Sequence, residues 1–379
     1  MTTLAAVSGI ALILVVLWDG FETIVLPRRV TRKIRLARFF YRFTWRIWSR
    51  AVGAVSAGNR KETWFGYYGP MSLLMLLSLW GGCLIFGFSL LQWADGSQVN
   101  TQGGNAGFWT DFYLSATTFF TLGLGDVTPR STVARVLTAA EGGLGFGFLA
   151  LVIGYLPALN QSFSRREVNI SLLDARAGSP PSAAEMLRRH AGEYGLDALQ
   201  ELLAKWETWS AELMESHLSY PVLAYFRSQH DNQSWLSALT TVMDTCALTM
   251  VGLDGVCERQ ARLTFEITRH AVLDLSHVFG RAPSEPEVDR LPPEGLAELR
   301  AILSASGFNL PEGEDVGLKL AEIRAMYEPY VYSLSRFLHM SLPPWMPGPG
   351  WEDNWQTSAW RLGTGPRGPG LPRGGLKHF

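Results

Sequence analysis

Three apolar runs, at 4–26, 67–93 and 133–159, limit what this chain can fold into more than any other feature. Each is long enough to cross a bilayer as a helix, which takes about 20 residues. In hydrocarbon every backbone N–H and C=O must be paired within the segment, so a helix is the expected form of each run. Hydrophobic residues make up 47% of the chain and charged ones 18%, a balance that suits a membrane protein. A short polar stretch, TTFFTLGLGDVTP at 117–129, lies between the second and third runs. Held at that depth, a loop with alternating glycines offers backbone carbonyls rather than side chains.

The first run competes with a secretory signal peptide. It lacks a basic n-region and a small-residue cleavage site, and dense positive charge follows it, so a retained span is expected. Residues 28–62 carry eleven Lys/Arg and one acid, Glu62. Cytoplasmic loops hold such an excess, and this one is short enough for the rule to apply. The expected topology is a multi-pass protein of the plasma (inner) membrane, with its N-terminus outside and everything after 159 cytoplasmic. Asp19 and Glu22 close the first span and are expected at the interface, paired with Arg28 or Arg29.

Within the basic segment Arg28, Arg32, Arg35, Arg38, Arg42 and Arg46 recur at three- and four-residue intervals. Phe39, Phe40, Phe43, Ile47 and Trp48 fill much of the remainder. The pattern predicts an amphipathic interfacial helix over 28–62, with Arg28, Arg32, Arg35, Arg42 and Arg46 facing membrane lipids, anionic ones by charge. A voltage-sensing helix also repeats arginine every third position, but one preceding span is too few for a sensor bundle. A net charge of −1 over the whole chain favours no nucleic-acid partner. Three cysteines form no disulfide framework.

The polar stretch has a recognisable local logic. Residues 100–107 are glycine-rich and polar, as in an exposed turret, and Thr110 and Asp111 make a good helix start. A short apolar helix over 110–120 then dips into the membrane, its C-terminal dipole end favouring a cation. Gly123 and Gly125 permit backbone angles that other residues resist. Alternating angles turn the successive carbonyls of Thr121, Leu122, Gly123 and Leu124 to one side, and the Thr121 hydroxyl adds an oxygen. Rings of such carbonyls replace the hydration shell of K⁺. One chain supplies one loop, so a closed ring needs four copies, a homotetramer.

Thr-x-Gly-x-Gly-Asp at 121–126, preceded by a short helix and flanked by two spans, resembles the pore loop of the potassium-channel superfamily, whose filter usually reads TVGYG followed by Asp. The resemblance covers 67–159. It implies that Thr121, Leu122, Gly123, Leu124 and Gly125 are the filter, binding K⁺ at the first four, and that Asp126 stands at the outer mouth. Arg135 falls at the start of the inner helix, and Gly142, Gly143 or Gly147 would serve as the gating hinge. Leu124 replaces a Tyr or Phe whose ring packs behind the filter, and Phe120 replaces a Thr or Ser. The degree of K⁺ selectivity is therefore open. Glu141 admits two readings, an acid lining the cavity or one bonded to a pore helix.

After 159 the pattern is helical, with predicted helices at 182–193, 196–217, 221–229, 235–253, 256–278, 293–304 and 318–338. The domain holds no phosphate loop, dinucleotide fingerprint, zinc spacing or catalytic triad, so no enzyme activity, organic cofactor or ligand is indicated, and its partner is unknown. From 341 to the end, Pro, Gly and Trp dominate and predict a disordered tail.

The expected architecture is an all-α membrane protein: an N-terminal span (1–27), a basic interfacial helix (28–62), a potassium-channel-like pore unit (63–160), a helical cytoplasmic domain (161–340) and a tail (341–379). The pore unit comprises an outer helix 67–93, pore helix 110–120, filter 121–126 and inner helix 133–159. The expected function is passive K⁺ conduction. Alternatives are a weakly selective cation channel and a membrane-anchored receptor or scaffold with a vestigial pore.

Overall fold

The first apolar run forms α1 (Thr2–Gly20), closed by a π-helical turn at Phe21–Val25. The computed structural model describes residues 2–26, 35–55, 59–101, 106–192, 195–229, 233–252 and 256–348. Two units emerge, 1–161 and 162–379. In the first, α2 (Leu36–Val55) and α3 (Asn59–Ala94) follow α1. The short strands β1 (Val99–Thr101) and β2 (Val127–Pro129) then bracket α4 (Phe108–Phe119), and α5 begins at Thr132. The strands pair antiparallel, Asn100 opposite Thr128. Among the described residues, three helices are long and apolar enough to cross a membrane: Thr2–Val25, Arg60–Ala94 and Thr132–Ala177. The chain is an all-α membrane protein with one small ribbon.

α1 and α3 pack closely because glycines meet. A Cβ on Gly9 would lie 2.7 Å from the Gly87 carbonyl oxygen, and one on Gly87 would lie 2.7 Å from Ile13. Small residues at such a crossing let membrane helices gain van der Waals contact where hydrophobicity gives no preference for protein over lipid. Around the crossing, Val16, Leu84 and Phe88 are buried.

The basic segment is not one helix. α2 begins at Leu36 and ends at Val55, and 59–62 belong to the outer helix α3. Arg28, Arg29 and Arg32 lie outside the described residues. The inner helix also outruns its expected end at 159: α5 continues to Ala177. Loss of apolar character at Asn160 ends a span, not a helix. The stop is Gly178, at φ +84°, whose N–H closes on the Asp174 carbonyl.

The second unit takes α5 from Ser162 onward and adds α6 (Ala183–Arg189), α7 (Gly195–Ser219), a 3₁₀ turn at Pro221–Tyr225, α8 (Trp235–Gly252), α9 (Val256–Phe279), α10 (Pro293–Ala305), α11 (Glu314–Ala325) and α12 (Glu328–Leu338). α8 is buried on every side from Trp235 to Thr249, as a helix apolar all round must be. Its threonines fit because Thr240, Thr245 and Thr249 donate to carbonyls one turn back. The helix expected over 318–338 is two helices. Pro329 lacks the N–H that would reach Ala325, so the chain breaks there and restarts with proline in the first turn of α12.

The expected tail begins too early. Trp345 is 1% exposed, with the guanidinium carbons of Arg290 and Arg324 at 5.6 and 5.5 Å from its ring. The Pro343 carbonyl accepts from Arg290 at 2.8 Å, and the Trp345 carbonyl accepts from the Ala184 N–H at 3.0 Å. Arg290 in turn meets the buried Asp244 at 2.5 Å. A large ring held between stiff prolines is thus part of the core, which composition alone does not reveal. Residues 349–379 lie outside the described residues.

Candidate functional site

The site is built on α4, which starts two residues before its expected position. Gly107 caps it in extended conformation, and its carbonyl accepts from Thr110 and Asp111. Asp111 is fully buried and accepts from the Ser97 hydroxyl at 2.6 Å, so it ties the first turn to the loop after α3. Phe108 anchors the same end, its ring 5.6 Å from Phe86 and 6.0 Å from Trp93.

At its other end α4 holds the segment that follows, 121–126. The last-turn carbonyl of Thr117 accepts from the amides of Leu122 at 2.8 Å and Gly123 at 3.3 Å, and the Thr121 N–H donates to Thr118. Carbonyls left over at the helix terminus are thereby satisfied by the chain that follows. Beyond this fold-back, Thr121, Gly123 and Gly125 have φ of +57°, +54° and +78°, while Leu122 and Leu124 do not share the positive sign. Glycine takes this conformation freely, but a β-branched Thr resists it, and such strain concentrates at functional positions. The side chains of Leu122 and Leu124 are 61% and 63% exposed, and Phe120 is 63% exposed.

The far side of the loop is pinned as well. Asp126 accepts from the Tyr113 hydroxyl at 2.9 Å, linking the end of the loop to α4. β2 then pairs with β1, and the Arg130 N–H donates to the Gln98 carbonyl at 2.7 Å. Ser131 caps α5 through the Ala134 N–H at 2.9 Å and donates to Asp95 at 2.6 Å. Gln92 of α3 reaches Thr138 of α5 at 3.1 Å. The exposed Arg135 has its Nε 3.5 Å from the Pro129 carbonyl, a marginal contact.

α5 lies against the back of α4. A Cβ on Gly145 would fall 2.1 Å from the Phe119 carbonyl oxygen, so only glycine fits. Gly143 and Gly147 have nothing within 4 Å, and Gly142 faces Thr118 at an ordinary 3.6 Å. The three hinge candidates are therefore free of packing demands within the chain, and the demanding position is a fourth glycine. Glu141 is fully buried beside Ser115 of α4, without a hydrogen bond of good geometry at either oxygen.

The arginines expected to face lipid divide. Arg42 and Arg46 are exposed on α2. Arg35 is not free to face lipid: it pairs with Glu22 at 3.6 Å and donates to Thr23 at 3.1 Å. Arg28 and Arg32 lie outside the described residues. Asp19, expected beside Arg28 or Arg29, instead accepts from Trp80 and from the Ala37 N–H, both at 3.0 Å. Sequence reasoning also missed Tyr113 as the partner of Asp126 and Gly145 as the contact point. The first had no signal beyond a hydroxyl one helix away, and the second was hidden in a cluster of like residues.

With this geometry in place, comparison with known proteins adds two findings. Residues 74–161 match a family described as ion channel, the same stretch that holds α4, the loop and the membrane part of α5. Over this segment the chain is similar to ion channels, in keeping with its resemblance to the potassium-channel superfamily. Among curated proteins, an uncharacterized membrane protein of Bacillus subtilis (strain 168), YdjJ, is 23% identical over 245 residues, which is 61% of this chain and 70% of that protein. No solved structure matches.

Proposed function

We propose that the chain is the subunit of a homotetrameric channel of the plasma membrane that passes K⁺ down its gradient through rings of backbone carbonyls. The observation that carries this is the alternation of left-handed backbone at Thr121, Gly123 and Gly125 on a loop whose amides are held by Thr117. Such alternation turns the carbonyls of Thr121, Leu122, Gly123 and Leu124 toward one axis, and a preformed oxygen cage replaces water around the ion without reorganising. K⁺ is the permeant ion rather than a cofactor. Helix α4 aims its carbonyl end at the same axis, adding a partial negative charge. The basic α2 on the cytoplasmic side sets the orientation, with the loop entering from outside and the second unit in the cytoplasm. The protein is a conduit and not an enzyme.

Weak K⁺ selectivity is the second reading, and one observation favours it. Leu124 is 63% exposed and stands where an aromatic ring would hold the filter's width. Flux in proteoliposomes separates the two: K⁺ flux far above Na⁺ flux supports the selective channel, and comparable fluxes support the weak one. Changing Gly123 to Val removes the left-handed conformation and should abolish flux while the tetramer persists. Normal flux in that variant would refute the filter assignment.

A further inference from the structure

Helix α2 has three sectors. One faces α3: Trp45 is buried against Phe65 and Tyr68, the Thr44 and Tyr68 hydroxyls meet at 2.9 Å, and the Trp48 indole donates to the Trp64 carbonyl at 3.1 Å. A second is apolar and exposed, with Phe39, Phe43 and Ile47 at 68%, 54% and 53%. The third carries Arg38, Arg42, Arg46 and Arg50. α2 contains no acid, and no acid among the described residues pairs with Arg42, Arg46 or Arg50. Burial, and then the charges of Arg42 and Arg35, push the Arg38 guanidinium below its ordinary value. An exposed aromatic stripe is unfavourable in water, and a free phosphate ion would meet only the cations beside it. Acyl chains and anionic headgroups together satisfy both.

The N-terminus of α2 is held from outside itself. One oxygen of the fully buried Asp19 accepts from the Ala37 N–H in the first turn of α2 and from the Trp80 indole of α3. A carboxylate at that position caps the helix and complements its dipole. Asp19 thus joins α1, α2 and α3 at a single atom.

We propose that α2 is a binding site for anionic phospholipid, held by Arg42, Arg46 and Arg50, and that Asp19 is the positioning residue through which its occupancy acts on the outer helix of the pore unit. The proposal rests on the reading of α2 as interfacial and is independent of which cation passes.

Native mass spectrometry of the full chain in detergent, titrated with phosphatidylglycerol or phosphatidylcholine, tests the site. Phosphatidylglycerol should bind in preference. Changing Arg42, Arg46 and Arg50 together to Gln should weaken it about a hundredfold at low salt, at roughly fivefold per arginine near a charged surface. Equal binding of both lipids, an unchanged triple variant, or displacement of the lipid by inorganic phosphate would overturn the site. Hydrogen exchange tests the coupling without flux. Phosphatidylglycerol should slow exchange in α2 of both wild type and Trp80→Phe, which loses the indole donor and leaves a smaller aromatic ring in its place. It should slow exchange at 60–80 of α3 in wild type alone. Equal slowing of α3 in both proteins overturns the role of Asp19. Flux is read in parallel: wild type without flux in any lipid would sink the channel reading and leave the lipid result standing.

Discussion

Replacing Gly145 with alanine is the sharpest test of how α5 supports the proposed filter. The new Cβ would sit 2.1 Å from the Phe119 carbonyl oxygen and 2.8 Å from its carbon, where ordinary contact begins at 3.4 Å. The obstacle is backbone, not the end of a flexible side chain, so α4 and α5 must separate by roughly 1 Å at this point. Overpacking of this kind costs about 1–3 kcal/mol. The displaced turn includes Thr117, whose carbonyl holds the Leu122 and Gly123 amides, so the shift passes directly to the proposed carbonyl cage. Filter sites that replace a hydration shell tolerate little misplacement, and flux in proteoliposomes should fall by about tenfold or more, the equivalent of 1.4 kcal/mol. Gly154→Ala is the control, because nothing lies within 4 Å of that position and alanine favours the helix. Gly145→Ala flux within twofold of wild type, with unchanged thermal stability, would refute the argument.

Other consequences are equally concrete. Tyr113→Phe removes the donor to Asp126 at 2.9 Å, worth about 1 kcal/mol, and should shift the reversal potential toward that of a less selective pore; an unchanged potential would count against that role. His217 is fully buried, and burial followed by the charge of Arg166 pushes it down to about 3. Its folded value lies below its unfolded one, so its contribution to stability is complete above about pH 6.5 and is lost as pH falls toward 3. Between pH 7 and 5 the loss is roughly 2 kcal/mol. Labelling of the buried Cys246 by an acid-tolerant disulfide reagent should report it as a larger acceleration of opening from pH 7 to pH 5 in wild type than in His217→Gln, and equal pH profiles would contradict it. Truncation after Met340 removes Trp345 and should lower the stability of the second unit by about 3–5 kcal/mol in a thermal melt, whereas a tail without structure predicts no change.

The three long apolar helices, the short helix before the loop and the TLGLGD loop itself were legible because their signals are local: apolar length, glycine placement and a motif of fixed spacing. The extra helix beyond 159 was not, because hydropathy marks where a helix leaves the membrane and says nothing about where it stops. Trp345 was hidden by its neighbours, since prolines and glycines read as disorder unless something distant grips the ring. Asp19 shows the same limit. An acid near the end of a span reads as interfacial, and only the return of α2 across it reveals a helix cap made between elements eighteen residues apart. Pairing across long sequence separation is what the one-dimensional pattern does not encode.

What a single chain leaves undone bears on assembly. Its first and second spans bury against each other, yet the third keeps Val136, Phe146 and Ile153 at 63%, 68% and 64% exposure. Lipid satisfies such side chains, so these alone require no partner. The loop at 121–126 is different. Its residues are exposed and its backbone is not helical, so in a lone subunit its polar groups would face hydrocarbon. Each unpaired group there costs several kcal/mol. Irregular backbone at that depth persists only where protein buries it or water reaches it. The proposed tetramer supplies both conditions, closing protein around the loop's outer side and leaving a wet axis on the inner one. Association on this view is driven less by any apolar patch than by the cost of the carbonyls that make the channel.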